Sequence, residues 1–183
     1  TTFGKTGIEV SVIALGGARM DLLPDVPSAA ALVRKVYDLG VTYFDCSRLY
    51  WDGRAEEAYG IGLQGVRKDV FLTSKTVKRT AKEAMEELET SFRLLKTDHV
   101  DLWQAHALSS MDQVEAVFAP GGAVEALVAA RDQKLVRHLG VSGHSDPDVL
   151  IAAIERFPFD AILLSLNAAD PHQLSFKQRL LPL

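Results

Sequence analysis

Six short runs of apolar, β-branched and aromatic residues recur along the chain, separated by longer segments of helical period. The runs are VIALGG (12–17), VTYFDC (41–46), DVFLTSK (69–75), HVDLWQAH (99–106), LVRHLGVS (135–142) and FDAILLSLN (159–167). Most of them show little alternation of apolar and polar residues, as is typical of strands that are buried on both faces. The pattern therefore predicts six strands of a parallel sheet.

Five segments between these runs place apolar residues near positions i, i+3, i+4 and i+7, which is the period of a helix. They cover residues 26–40, 55–65, 80–96, 124–134 and 146–157. Their first residues are suited to helix starts: Thr80 precedes Glu83 in a capping box, and Asp146 precedes Pro147. Strands that alternate with helices indicate βαβ units.

Two architectures accept this alternation, an open doubly wound sheet and a (β/α)8 barrel. The segment GGARM after the first strand lacks the G-x-G-x-x-G pattern of the doubly wound dinucleotide-binding sheets, so the barrel is favoured. The opening TTFGKTGIEVSV has no helical period and predicts a β-hairpin that turns at residues 5–7. We expect one α/β domain over residues 1–183, an incomplete (β/α)8 barrel with six of its βα units.

The composition excludes several classes of protein. With 48% hydrophobic and 24% charged residues the chain is ordinary for a globular domain, and its net charge of −4 argues against a nucleic-acid partner. A single cysteine, Cys46, excludes an internal disulfide and multi-cysteine metal sites, which fits a reducing cytoplasm. No apolar run reaches the roughly 18 residues of a membrane helix. We expect a cytoplasmic protein, and because the chain does not begin with Met, an upstream export signal is left open.

Three ionisable residues finish successive predicted strands. Asp45, Lys75 and His106 are one βα unit apart, and Tyr50 follows Asp45 in the same loop. Each residue alone has a structural explanation, as a cap, a rim residue or a buried histidine. Burial of the Lys75 ammonium without a partner would be costly, however, and Asp45 on the neighbouring strand is the obvious partner. Because the carboxyl ends of barrel strands converge on one mouth, the four residues together predict an active site.

Several segments, taken in order, resemble the aldo-keto reductases, and a divergent bacterial branch in particular. They are FGKTGIEVSVIALGG, GVTYFDCSRLYWDGRAEEAYGIGL, KDVFLTSK, LLKTDHVDLWQAH and LVRHLGVSGH. The resemblance implies a barrel with a hairpin plug, NADP(H) across its mouth, and hydride transfer between NADP(H) and an aldehyde, ketone or sugar. It also implies a catalytic tetrad, which falls on Asp45, Tyr50, Lys75 and His106. The family's seventh and eighth strands have no counterpart before the chain ends, so we expect this sequence to be part of a longer product.

The tetrad roles that the resemblance implies are chemically consistent. Tyr50 would protonate the carbonyl oxygen, Lys75 would lower the pKa of the Tyr50 phenol, and Asp45 would keep Lys75 charged. His106 would hydrogen-bond the same oxygen. Four residues are expected to contact the cofactor: Gly17, Asp45, Ser142 and Asn167. No residue is expected to bind metal. Gly143 stands where the family often has an asparagine that holds the nicotinamide amide.

Two other functions remain open at this point. A lysine at the end of a barrel strand can form a Schiff base, so Lys75 could serve an aldolase or lyase. Asp45 argues against this function, because an aldolase lysine needs a neutral amine. The fold could also serve as a non-catalytic binding subunit, although retention of all four tetrad positions argues against that use.

Overall fold

Six parallel strands form one sheet in which each strand pairs with the next along the chain, in the computed structural model. The structure describes residues 1–167 and 176–183. The strands are β1 Ala14–Gly16, β2 Tyr43–Asp45, β3 Phe71–Thr76, β4 Val100–Ala105, β5 Val136–Gly143 and β6 Ala161–Leu164. The sheet curls into part of a (β/α)8 barrel, which confirms the predicted fold class. All six predicted strands are present, although the first, second and last are shorter than predicted.

Helices follow the strands and cover the outer face of the sheet. They are α1 Val26–Asp38, α2 Arg54–Gly62, α3 Ala81–Leu95, α4 Met111–Phe118, α5 Ala123–Asp132, α6 Pro147–Arg156 and α7 Phe176–Arg179. The five predicted helices are confirmed, and the side chains of Thr80 and Asp146 cap α3 and α6 as expected. Helix α4 was missed because its eight residues are too few to establish a period. Within the described residues, no helix is long and apolar enough to span a bilayer.

The amino-terminal segment folds back on itself as the sequence predicts. Thr2 and Glu9 form an antiparallel bridge, and the intervening residues make the turn. The ring of Phe3 packs against Tyr43 and Phe71, with centroid distances of 5.6 and 5.1 Å. The hairpin therefore covers apolar side chains at the amino ends of β2 and β3, away from the carboxyl ends where the site lies.

Strand register brings the predicted site residues to one edge of the sheet. Asp45, the last residue of β2, pairs with Thr73 of β3, and Lys75 of β3 pairs with Gln104 of β4. All residues of β3 and β4 are buried. Because the strands are parallel, their carboxyl ends lie side by side, and polar side chains there face a common space.

Candidate active site

Lys75 is fully buried at the carboxyl end of β3, and three acceptors surround its ammonium group. Its Nζ lies 2.8 Å from Asp45 Oδ2, 2.7 Å from the carbonyl oxygen of Cys46 and 3.4 Å from the Tyr50 hydroxyl. An ammonium group has three hydrogens, so each of them has an acceptor. This arrangement leaves no free amine to attack a carbonyl, which argues against the Schiff-base alternative.

Tyr50 lies over the Lys75 ammonium group at the start of the loop that follows β2. The Nζ atom is 4.9 Å from the centre of the phenol ring, close enough for a cation–π contact. Gly17, just after β1, backs the ring: a Cβ atom there would lie 3.4 Å from Tyr50 Cδ2 and 3.3 Å from the carbonyl oxygen of Asp45. Its own N–H donates to that carbonyl at 2.8 Å. Gly17 thus packs closely against the phenol ring, and a larger residue there would crowd it.

The Tyr50 phenol does not have the lowered pKa that the sequence predicts. Burial raises the pKa of Tyr50 above its usual value, and this effect exceeds the opposing attraction of the Lys75 ammonium. The Asp45 carboxylate adds to the increase. The direction of the Lys75 effect was predicted correctly, but the net direction was wrong. At neutral pH the phenol therefore carries its proton and can donate it.

His106 directly follows β4 and completes the group of four. Its ring lies edge-on to Tyr50, with centroids 5.8 Å apart, and its Nδ1 is 2.7 Å from the Ser142 hydroxyl. Burial lowers the pKa of His106 to about 3, and the positive charge of Lys75 contributes further. The imidazole is therefore neutral over the physiological range and has one N–H to donate.

The loop after Tyr50 has an unusual backbone. Trp51, Asp52 and Gly53 have φ angles of 52°, 53° and 88°, three consecutive residues in the left-handed region. Such a run is uncommon in L-residues and fixes the direction in which the chain leaves Tyr50. The Arg48 guanidinium fills the space beside Gly53, where a Cβ atom would lie 1.6 Å from its Nη1. The loop geometry thus depends on a glycine at position 53.

The predicted cofactor contacts differ in how the structure places them. Gly17 lies against the Tyr50 ring, and Asp45 contacts the same Lys75 ammonium as Tyr50. Ser142 lies near the end of β5 and is buried, with its hydroxyl in contact with His106. Asn167 lies beyond the end of β6 on an exposed segment, so it is not in the buried part of the site.

Three further residues at this edge were not singled out by sequence reasoning. Tyr59 donates its hydroxyl to the carbonyl oxygen of Leu15 at 2.9 Å and tethers the end of β1 to α2. Arg79 donates to the carbonyl oxygen of His106 at 3.0 Å and so holds the backbone after β4. The charges of Lys75 and Asp45 influence the pKa of His144, which burial lowers. The motif SGH at the end of β5 was the available signal for His144.

Together these groups can assist the reduction of a carbonyl. A protonated phenol and a neutral imidazole border the same space, and both can donate a hydrogen bond to one oxygen atom. The buried ammonium beside the phenol would stabilise the phenolate that remains after proton transfer. Among the described residues, no group of three or more His, Cys, Asp or Glu side chains could hold a metal ion.

Comparison with known proteins points to one family. A sequence model of the Aldo/keto reductase family matches residues 12–178. Methylglyoxal reductase YeaE of Escherichia coli is 38% identical over 114 residues, which are 61% of this chain and 38% of that enzyme. The chain spans about half the length of the curated relatives it matches.

Solved structures show the same fold. The holo form of an aldo-keto reductase from Bacillus halodurans superposes with a TM-score of 0.79 at 25% identity, covering 91% of this chain and 57% of that one. An aldo-keto reductase from Klebsiella pneumoniae in complex with NADPH gives a TM-score of 0.68 at 28% identity, covering 82% of this chain and 51% of that one. With 167 of its 183 residues matched by the family model, this chain belongs to the aldo/keto reductase family.

Proposed function

We propose that the protein transfers a hydride between NADP(H) and a small carbonyl or alcohol compound. The observation that carries this proposal is the contact of one buried ammonium, Lys75 Nζ, with both Asp45 and Tyr50, beside the neutral His106 ring. This arrangement provides two hydrogen-bond donors for one oxygen atom and a positive charge beneath the phenol. A carbonyl oxygen that gains negative charge during reduction needs both.

The residues around the mouth fit a nicotinamide cofactor. Gly17 lies against the Tyr50 ring with no side chain of its own, and Asp45 keeps 18% of its side chain exposed. We assign Gly17, Asp45 and Asn167 to the nicotinamide end of NADP(H), which when bound supplies the hydride. The relative solved with NADPH supports this choice of cofactor.

The residues of the tetrad would then act as follows. His106 and Tyr50 hold the carbonyl oxygen by hydrogen bonds, and Tyr50 gives up its proton as negative charge develops. Lys75 stabilises the resulting phenolate, and Asp45 fixes the position of Lys75. In the reverse direction the phenolate must take a proton from an alcohol. Because burial raises the pKa of Tyr50, alcohol oxidation should increase with pH, while reduction is favoured near neutrality.

The substrate class follows from the site and from one relative. The site offers two hydrogen-bond donors, Tyr50 and His106, to a single oxygen atom, so we propose a small aldehyde or ketone as the substrate. Methylglyoxal is the first compound to test, because the related Escherichia coli enzyme is named for its reduction. We place the reaction in the cytoplasm, where Cys46, unpaired and buried, would remain reduced.

Replacement of Tyr50 by phenylalanine tests the proposal. In the full-length protein, Tyr50→Phe should lower the rate of methylglyoxal-dependent NADPH oxidation by about 10²- to 10⁴-fold, which is the usual contribution of a general acid. Binding of NADPH should change little, because the substitution removes only a hydroxyl group. Tyr37→Phe is the matched control, since Tyr37 lies on α1 against Arg34, away from the site. Near-normal turnover in Tyr50→Phe would refute the assignment.

A further inference from the structure

Ser142 occupies a fully buried position between the end of β5 and the segment after β4. Its hydroxyl oxygen accepts a hydrogen bond from the backbone N–H of Ala107 at 3.0 Å. The same oxygen lies 2.7 Å from Nδ1 of His106. Both contacts are to the protein, and the cofactor contact that the sequence predicts for Ser142 stays a prediction.

The hydrogen atoms at these contacts can be assigned by counting donors and acceptors. A serine hydroxyl has one hydrogen to donate, and a buried hydroxyl that donates to nothing is unfavourable. Within the part of the chain that the structure describes, His106 Nδ1 is the acceptor within reach of the Ser142 hydroxyl. Nδ1 therefore accepts, which places the single ring hydrogen of a neutral imidazole on Nε2.

We propose that Ser142 is a positioning residue, which holds His106 in the tautomer that carries its hydrogen on Nε2 and so makes Nε2 the donor to the substrate oxygen. This inference rests on the proposed carbonyl reduction and refines it.

The surroundings of His106 leave the hydroxyl as the group that selects the tautomer. The backbone on both sides of the ring is fixed: His106 N–H donates to the carbonyl oxygen of Thr76 at 2.8 Å, and Arg79 donates to the carbonyl oxygen of His106 at 3.0 Å. Ala107 adopts a left-handed φ of 55°, which turns its N–H toward Ser142. Burial and the charge of Lys75 also keep the pKa of His106 low, so the doubly protonated ring is excluded at neutral pH.

Nuclear magnetic resonance of the ¹⁵N-histidine-labelled chain at pH 7 reads the tautomer directly, without substrate or cofactor. Two-bond ¹H–¹⁵N correlations should show His106 with its hydrogen on Nε2, and the peaks can be assigned by their loss in His106→Gln. In Ser142→Ala we expect a second tautomer to appear and the Nδ1 resonance to move. Ser142→Thr keeps the hydroxyl and should restore the wild-type pattern.

Ser74→Ala is the control for general loss of a buried hydroxyl. Ser74 lies on β3 and donates to Glu56 at 2.6 Å, so its removal should lower stability but leave the His106 resonances unchanged. In the full-length protein, Ser142→Ala should lower kcat by about tenfold or more, because a wrong tautomer is costly for a catalytic histidine.

Two results would overturn the inference. They are a hydrogen on Nδ1 in the wild-type chain and unchanged His106 resonances in Ser142→Ala. An Nε2-protonated His106 in a protein that reduces no carbonyl would support the tautomer assignment and count against the proposed function alone.

Discussion

Asp45→Asn should destabilise the fold because it removes the charged partner of a buried ammonium. The Lys75 side chain has no exposed area, and the Asp45 side chain is 18% exposed. The N–O distance is 2.8 Å, which corresponds to a gross attraction of about 6 kcal/mol at an effective dielectric constant of about 20. Desolvation of the two ions costs several kcal/mol each and offsets most of this attraction. The intact pair therefore contributes little net stability.

Loss of one partner is different, because the remaining charge stays buried. Breaking a buried pair typically costs about 3–5 kcal/mol. The asparagine would still offer a carbonyl oxygen, and the Cys46 carbonyl remains 2.7 Å from Nζ, so the lower end of this range applies. We expect Asp45→Asn to reduce the free energy of unfolding by about 3 kcal/mol. Urea unfolding followed by circular dichroism measures it.

The double variant Asp45→Asn with Lys75→Met separates the lost pair from the unpaired charge. Methionine fills much of the lysine volume without a charge, so the double variant should be more stable than Asp45→Asn by about 2 kcal/mol. Glu86→Gln is the control: it removes the exposed Lys82–Glu86 pair and should change stability by less than about 0.5 kcal/mol. If Asp45→Asn and Glu86→Gln have the same effect, the argument from burial is wrong.

Two further predictions concern stability. Burial lowers the pKa of His106 to about 3, so between about pH 3 and 6.5 the unfolded chain binds a proton at this residue that the folded chain does not. The contribution of neutral His106 to the free energy of unfolding is therefore fully present above about pH 6.5 and is lost as the pH falls. From pH 7 to pH 5 the wild type should lose about 2 kcal/mol more than His106→Gln in urea unfolding, and equal losses would contradict the shift. Gly60→Ala should lower the urea midpoint although alanine favours helices by about 1 kcal/mol, because its Cβ atom would lie 2.2 Å from the carbonyl oxygen of Leu94. Gly16→Ala, whose Cβ atom would meet nothing within 4 Å, should leave the midpoint unchanged, and a stable Gly60→Ala would mean that α2 and α3 separate easily.

The sequence was sufficient to predict the sheet and the residues of the site because both follow from the βα repeat. Asp45, Lys75 and His106 are one unit apart, so parallel pairing alone brings them to the same edge of the sheet. Helix α4 was missed because it is short. Strand β1 is shorter than predicted because Val12 and Ile13, although apolar, are 86% and 72% exposed and lie outside it. Apolar composition predicts strand residues only where both faces are covered.

The chemistry of the site was harder to predict, because it depends on packing between distant segments. The pKa of Tyr50 depends on how deeply the phenol is buried, and Gly17, from a distant part of the chain, packs against its ring. The contact between His106 and Ser142 joins residues 36 positions apart. Sequence spacing placed both residues at the mouth, but the direction of each side chain depends on the loops. Candidate residues could therefore be named from the sequence, whereas their protonation states could be inferred only from the three-dimensional structure.

The pKa shifts of Tyr50 and His106 have opposite directions but leave both groups uncharged at neutral pH. Burial raises the pKa of the phenol and lowers that of the imidazole, so at neutral pH both groups are uncharged hydrogen-bond donors. If Lys75 had instead ionised Tyr50 in the resting protein, no proton would be available for the proposed reduction. The ammonium contributes most when the proton leaves, because its attraction for the phenolate is strongest in the same low-dielectric surroundings that kept the phenol neutral. The burial that opposes ionisation before the reaction thus increases the stabilising effect of Lys75 during it.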